Sequence, residues 1–193
     1  MSPARMEKIK NTLQPKDWVE KYSDQLFKYA VIRVSNEETA RDMVQDTFLS
    51  ALKNAETFRG EISEKNWLYM ILKNKIIDHF RSKASEAGET IHELSLQDTT
   101  FFDEQGKWKK SKRPSRQSEA VEFETKEFYQ VLEKCKQKLP ELQNAVFTLK
   151  YLDQKDSDEI CKELRISSSN YWVLMHRAKL QLRDCLQKNW FVK

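Results

Sequence analysis

The chain has 193 residues, with 34 Lys and Arg against 30 Asp and Glu, a formal net charge of +4 and a hydrophobic share of 39%. That share can build cores and excludes wholesale disorder, while three glycines and four prolines are too few for the turns of sheet proteins or the phosphate loops of nucleotide-binding α/β folds. No apolar run approaches the ~20 residues of a membrane span, and the opening Met1-Ser2-Pro3-Ala4-Arg5 has no apolar signal core, so a soluble, cytoplasmic, helical protein without membrane insertion is expected.

Apolar spacing is helical almost throughout. A first helix is expected from about Lys16 to Val34, with Trp18, Tyr22, Leu26, Tyr29 and Ala30 along one side. Ser35-Asn36-Glu37-Glu38 reads as a capping box, the Ser35 oxygen taking an amide proton while Glu38 reaches back. The helix it opens carries Ala40, Met43, Val44, Thr47, Phe48 and Ala51 on one continuous stripe. Phe58 to Ser63 is a loop. A third helix, Glu64 to about Lys83, is apolar over a wide arc from Trp67 to Phe80 and should sit centrally.

From Ser85 to Ser118 the pattern dissolves, which marks an interdomain linker. Its second half holds six basic residues between Gln105 and Arg116 and no acid, so it is either a solvated tail or a strand that follows phosphates or an acidic channel. Helical order returns with Phe128, Val131, Leu132, Cys135 and Leu139. Pro140 restarts the chain, because proline suits a first helical turn and ends the helix before it. A helix with Leu142, Ala145, Val146, Leu149 and Leu152 follows. Asp156-Ser157-Asp158-Glu159 offers a second capping box, opening a short helix to Leu164. After Arg165-Ile166-Ser167 a longer helix starts at Ser168 or Ser169 and runs to about Lys188 on the stripe Tyr171, Leu174, Met175, Ala178, Leu182, Cys185 and Leu186. The expected fold is therefore all-α. Two small helical domains, 16–84 and 119–193, follow a tail at 1–15 and are joined by the flexible linker 85–118.

A short helix, a three-residue turn and a longer helix make a helix-turn-helix. The second helix turns Ser169, Asn170, Trp172, Val173, His176, Arg177 and Arg183 away from its apolar stripe. Asn pairs with adenine, Arg with guanine, and Trp or Val touches a thymine methyl. The N-terminal half has a different polarity. Residues 36–61 hold six acids and three bases, whereas residues 65–83 hold five bases and one acid. Phe58, Trp67, Tyr69 and Phe80 accompany that basic stretch. Cations track phosphates and exposed aromatics stack on unpaired bases, although Trp67 and Phe80 serve equally well as core. Cys135, Cys161 and Cys185 fall on apolar positions and are expected as small buried hydrophobes. With His79, His92 and His176 they form no metal-ligand spacing. No cofactor, metal site or catalytic residue is expected.

Two blocks carry a resemblance. Ala40-Arg41-Asp42, Gln45-Asp46-Thr47-Phe48, Phe58-Arg59-Gly60, Trp67-Leu68, Ile71, Asn74, Asp78 and Arg81 stand in the order of the second region of bacterial RNA polymerase sigma factors of the extracytoplasmic-function (ECF) class. The stretch from Leu139 to Leu186 resembles the fourth region. The resemblance implies an alternative sigma factor that binds core RNA polymerase, through the β′ clamp helices and the β flap, and directs promoter recognition and melting. It carries polymerase contact to Asp42, Gln45, Asp46, Phe48 and Leu49. Contact with the single-stranded minus-ten element falls to Arg59, Lys65, Trp67, Tyr69, Lys73, Asn74 and Arg81, with a flipped base held near Asn74. Contact with the minus-thirty-five duplex falls to Ser168, Ser169, Asn170, Trp172, Val173, His176, Arg177 and Arg183. An anti-sigma factor is a further candidate partner.

The sequence departs from the family at Arg41, where Glu is usual, at Leu174, where Arg is usual, and at Arg165, where the turn usually has Gly. A left-handed Arg165 would cost about 1 kcal/mol. The alternative reading is a helix-turn-helix regulator that binds operator DNA without polymerase. No ligand-binding or receiver domain is visible to support it.

Overall fold

The computed structural model describes residues 12–86, 109 and 125–191. The described residues fall into two compact units that divide between Ile77 and Asp78. Most of the basic linker lies outside the described residues, and with it the expectation of a phosphate-tracking strand.

In the first unit a 3-10 turn, Pro15–Asp17, leads into α1 (Trp18–Val34), which packs against α2 (Glu37–Lys53) as a helical hairpin. The expected capping arrangement between them is corrected. Ser35 is the C-cap of α1 in the left-handed region (φ 56°, ψ 19°), its N–H bonding the Val31 carbonyl at 2.9 Å. Asn36 has the extended backbone an N-cap needs, and its Oδ1 accepts the Thr39 N–H at 2.9 Å. One residue cannot both reverse the chain and cap the next helix, so the two tasks fall to neighbours. The α2 stripe is as expected: Ala40, Met43, Val44, Thr47, Phe48 and Ala51 are all buried. The buried Thr47 hydroxyl donates to the Met43 carbonyl at 2.7 Å, which removes the penalty of an orphan hydroxyl.

The loop before α3 (Glu64–Glu86) turns at Gly60, whose φ of 70° favours glycine. Inside α3, Leu68, Leu72, Ile76, Ile77, Phe80 and Ala84 are buried, the wide arc its sequence predicts. At its start Glu64 ties three segments together. Its carboxylate accepts the Gln14 N–H and the Trp18 Nε1–H, each at 2.9 Å, and the Tyr22 O–H at 2.8 Å. Burial pushes this carboxyl up, but the three donors outweigh it and hold its pKa below the ordinary glutamate value. Trp18, 1% exposed, therefore buries a large ring without orphaning its N–H.

The second unit contains α4 (Thr125–Lys136), α5 (Glu141–Tyr151), α6 (Ser157–Leu164) and α7 (Ser168–Leu186), closed by a single π turn, Gln187–Phe191. Pro140 is the residue before α5, in line with its helix-starting chemistry. The second capping box forms in both directions: Asp156 Oδ1 accepts the Glu159 N–H at 2.8 Å and Glu159 Oε2 accepts the Asp156 N–H at 3.3 Å. Its core gathers Leu142, Val146, Leu149, Ile160, Leu164, Tyr171, Leu174 and Met175. Nearly buried Lys155 is neutralised by Glu163 of α6.

The expectation that all three cysteines are plain hydrophobes is corrected. Cys135 of α4 and Cys185 of α7 form a disulfide across 50 residues, with Cα atoms 5.7 Å apart, while Cys161 is a free thiol. Their distance in sequence hides a pairing that only the packing of α4 on α7 creates.

Candidate nucleic-acid and partner interfaces

Burial sorts α2 into two faces. Asp42, Gln45 and Asp46 are exposed, and Leu49 and Leu52 extend the same face at 54% and 50% exposure. Large exposed aliphatics beside carboxylates suit a partner that is basic at its edge and apolar at its centre. Leu52 was not among the residues singled out from the sequence; its i+3 spacing from Leu49 was the available signal. Phe48 is corrected: it is 9% exposed and stacks on Trp18 with ring centroids 6.5 Å apart, so it supports the face from beneath. Its place on the apolar stripe and its place in the contact set were incompatible on one helix. Arg41, the first family departure, is exposed and pairs with Glu37 at 2.9 Å one turn back. Asp46 faces Lys75 of α3 at 4.0 Å.

On α3, Lys65, Lys73 and Asn74 are exposed, as is Arg59 in the preceding loop. Met70, 56% exposed, lies four residues before Asn74 and shares its face, an apolar neighbour that sequence reading missed. The aromatics divide. Trp67 is half-buried against Phe58 (5.1 Å) and Trp18 (6.3 Å), so much of its ring belongs to the core. Tyr69 lies edge-on to Tyr29 at 5.2 Å, with the Lys65 ammonium 6.0 Å from its ring centre. Phe80 is wholly core. Arg81 is ion-paired with Asp78 at 2.6 Å, which reduces the charge it offers to a phosphate.

The turn between α6 and α7 has helix-turn-helix form. Arg165 takes the left-handed conformation (φ 56°, ψ 42°), so the position does need what glycine usually supplies, and the Ile166 N–H closes on the Cys161 carbonyl at 3.1 Å. Ser167 caps α7, its Oγ accepting the Asn170 N–H at 3.2 Å. The helix then separates cleanly. Tyr171, Leu174, Met175 and Ala178 are buried, while Ser168, Ser169, Trp172 and His176 are exposed, Trp172 at 61%. Asn170, Val173, Arg177 and Arg183 are half-buried along the flanks. Leu174, another departure, is 4% exposed, so it is a core residue in this chain. An exposed Trp beside a helix N-terminus presents an apolar plate next to amide and hydroxyl donors, the pairing needed to touch a methyl and hold a phosphate together.

Among the described residues no group of three His, Cys, Asp or Glu is arranged to hold a metal, and no helix is long and apolar enough to cross a membrane.

Comparison with known proteins identifies the family. The family profile described as sigma-70 region 2 matches residues 18–86, and that described as sigma-70 region 4 matches residues 129–182. A probable RNA polymerase sigma factor of Haemophilus influenzae is 38% identical over 165 residues, 85% of each chain. The RNA polymerase sigma factor YlaC of Bacillus subtilis is 27% identical over 173 residues, 90% of this chain and 92% of its own. The ECF RNA polymerase sigma factor SigX of the same species is 28% identical over 167 residues, 86% of this chain and 80% of its own. The chain belongs to the sigma-70 family of RNA polymerase sigma factors, within its ECF type.

Proposed function

We propose that this sigma factor divides its work between the surfaces described above. The α2 face of Asp42, Gln45, Asp46, Leu49 and Leu52 docks on the clamp helices of core RNA polymerase. Arg59, Lys65, Tyr69, Lys73 and Asn74, joined by Met70, receive the melted minus-ten strand, and the outer face of α7 reads the minus-thirty-five duplex. The domains that do this are residues 16–84 and 119–193. The observation that carries the reading is the two-faced α7, with a buried stripe from Tyr171 to Ala178 and an exposed Trp172 and His176 beside a capped N-terminus. The protein acts in the cytoplasm, has no catalytic group of its own, and leaves nucleotide chemistry to the polymerase.

Transcription from two templates tests this, one fully duplex and one pre-melted across the minus-ten element. Asn74→Ala should impair opening of the duplex template and relax selectivity at one minus-ten position. Trp172→Ala and Arg177→Ala should weaken use of the duplex upstream element, by about 1–3 kcal/mol for Arg177 if it grips a base with two hydrogen bonds, and should spare melting on the pre-opened template. Equal losses on both templates would assign Arg177 to folding or polymerase binding. Tight sequence-specific binding by the isolated chain at physiological salt would favour the operator-binding alternative.

A further inference from the structure

We infer that the cleft over the Cys135–Cys185 bridge is a thiol–disulfide exchange site for small anionic thiols. The inference stands on the cleft itself and does not depend on the promoter reading. An open cleft of about 400 Å³ lies over the bridge, a volume that suits a peptide-sized ligand. Besides the two cysteines, Val131, Lys134, Gln137, Lys138 and Asn189 line it. Lys134 and Lys138 are exposed, and no carboxylate is among the lining residues, so the mouth attracts anions.

The two sulfurs are unequal. Cys135 is 2% exposed, whereas Cys185 is half-buried at the cleft. The Asn189 amide Nδ2 donates to the Cys185 carbonyl at 2.7 Å and reaches Cys185 Sγ at 3.5 Å. A thiolate entering along the lysines therefore meets Cys185 Sγ first. It forms a new S–S bond there, the Cys135–Cys185 bond breaks, and Cys135 leaves with the electron pair and takes a proton from solvent. A second thiolate attacks the small molecule's sulfur in the mixed disulfide. It releases the Cys185 thiolate, which the Asn189 amide stabilises, and a symmetric small disulfide. Two electrons have then passed from two small thiols to the protein, and the same small disulfide reverses the sequence. Free Cys161 is a poor competitor: burial pushes its thiol pKa up, which lowers its thiolate fraction. The bridge joins α4 to α7 beside the packed Leu139, Ala178 and Leu182. The thiol pool thus sets how firmly α7 is held to α4.

The test uses the full chain carrying Cys161→Ser, air-oxidised, with glutathione, 2-mercaptoethanol and cysteamine as anionic, neutral and cationic thiols at matched thiolate concentrations. Intact mass and peptide mapping follow the mixed disulfide. We expect glutathione to outpace cysteamine by about tenfold at low salt, with the ratio falling toward one near 1 M salt. The mixed disulfide should map to Cys185. Lys134→Gln with Lys138→Gln should remove the preference while circular dichroism is unchanged. Equal matched rates for all three thiols would overturn the inference, as would an adduct on Cys135 or two free thiols in the oxidised chain. If the lysine variant unfolds, the salt dependence of the parent chain decides.

Discussion

Replacing Arg165 by glycine should stabilise the second unit. Arg165 has φ 56° and ψ 42°, a conformation imposed by the turn between α6 and α7. An L-residue with a Cβ loses about 1–2 kcal/mol there, and glycine does not. Against this gain, glycine enlarges the unfolded ensemble, a loss of about 0.4–1 kcal/mol. The Arg165 side chain is exposed, so no core packing is lost with it. The net expectation is a gain of about 0.5–1 kcal/mol, or roughly 2–6 °C in melting temperature for a unit of this size. Thermal unfolding followed by circular dichroism measures it, with Arg165→Ala as control. Alanine keeps the Cβ and should give no comparable gain. If the two variants melt alike, or the glycine variant melts lower, the backbone argument fails. Salt titration of duplex binding adds a second reading. Loss of a cation that touches phosphate should reduce the slope by about one, whereas an unchanged slope would place Arg165 away from the DNA.

Glu64→Gln should cost the first unit about 1–3 kcal/mol, because three donors lose a charged acceptor, and denaturant melts would report it. Since the folded pKa of Glu64 lies below its ordinary value of 4.5, its contribution is present in full above that value. The contribution is lost as pH falls through the lower folded pKa, so the gap between parent and variant should close in acid. Asp156→Ala removes half of a two-way capping box and should cost about 1 kcal/mol, read from the midpoint of urea unfolding. Reversing charge at Asp42 and Asp46 together should weaken co-elution with core polymerase with only a small change in melting temperature, because both side chains are exposed and the Asp46–Lys75 contact at 4.0 Å is a weak surface pair. Unchanged affinity would move the docking face elsewhere.

Helical spacing determined much of this protein by itself. The apolar stripe on α2, and that on α7 from Tyr171 to Leu182, predicted buried side chains, because a 3.6-residue period gathers them on one face; Cys185 and Leu186 are only half-buried and Leu180 is buried outside the stripe. The helix-turn-helix and the Asp156 capping box were legible for the same reason, since each depends on residues within one or two turns of one another, whereas the left-handed turn at Arg165 was suggested only by the glycine usual in the family and was decided by the structure. Tertiary structure decided what depends on partners far along the chain. Phe48 could be core or contact until Trp18 was seen against it. Glu64 looked like an ordinary first-turn acid until Gln14, Trp18 and Tyr22 converged on it. Cys135 and Cys185 fitted apolar stripes on separate helices, and only the packing of those helices brought their Cα atoms to 5.7 Å. Local hydrogen bonding and periodicity are properties of a short stretch of chain, whereas a pairing across 50 residues exists only once the helices have packed.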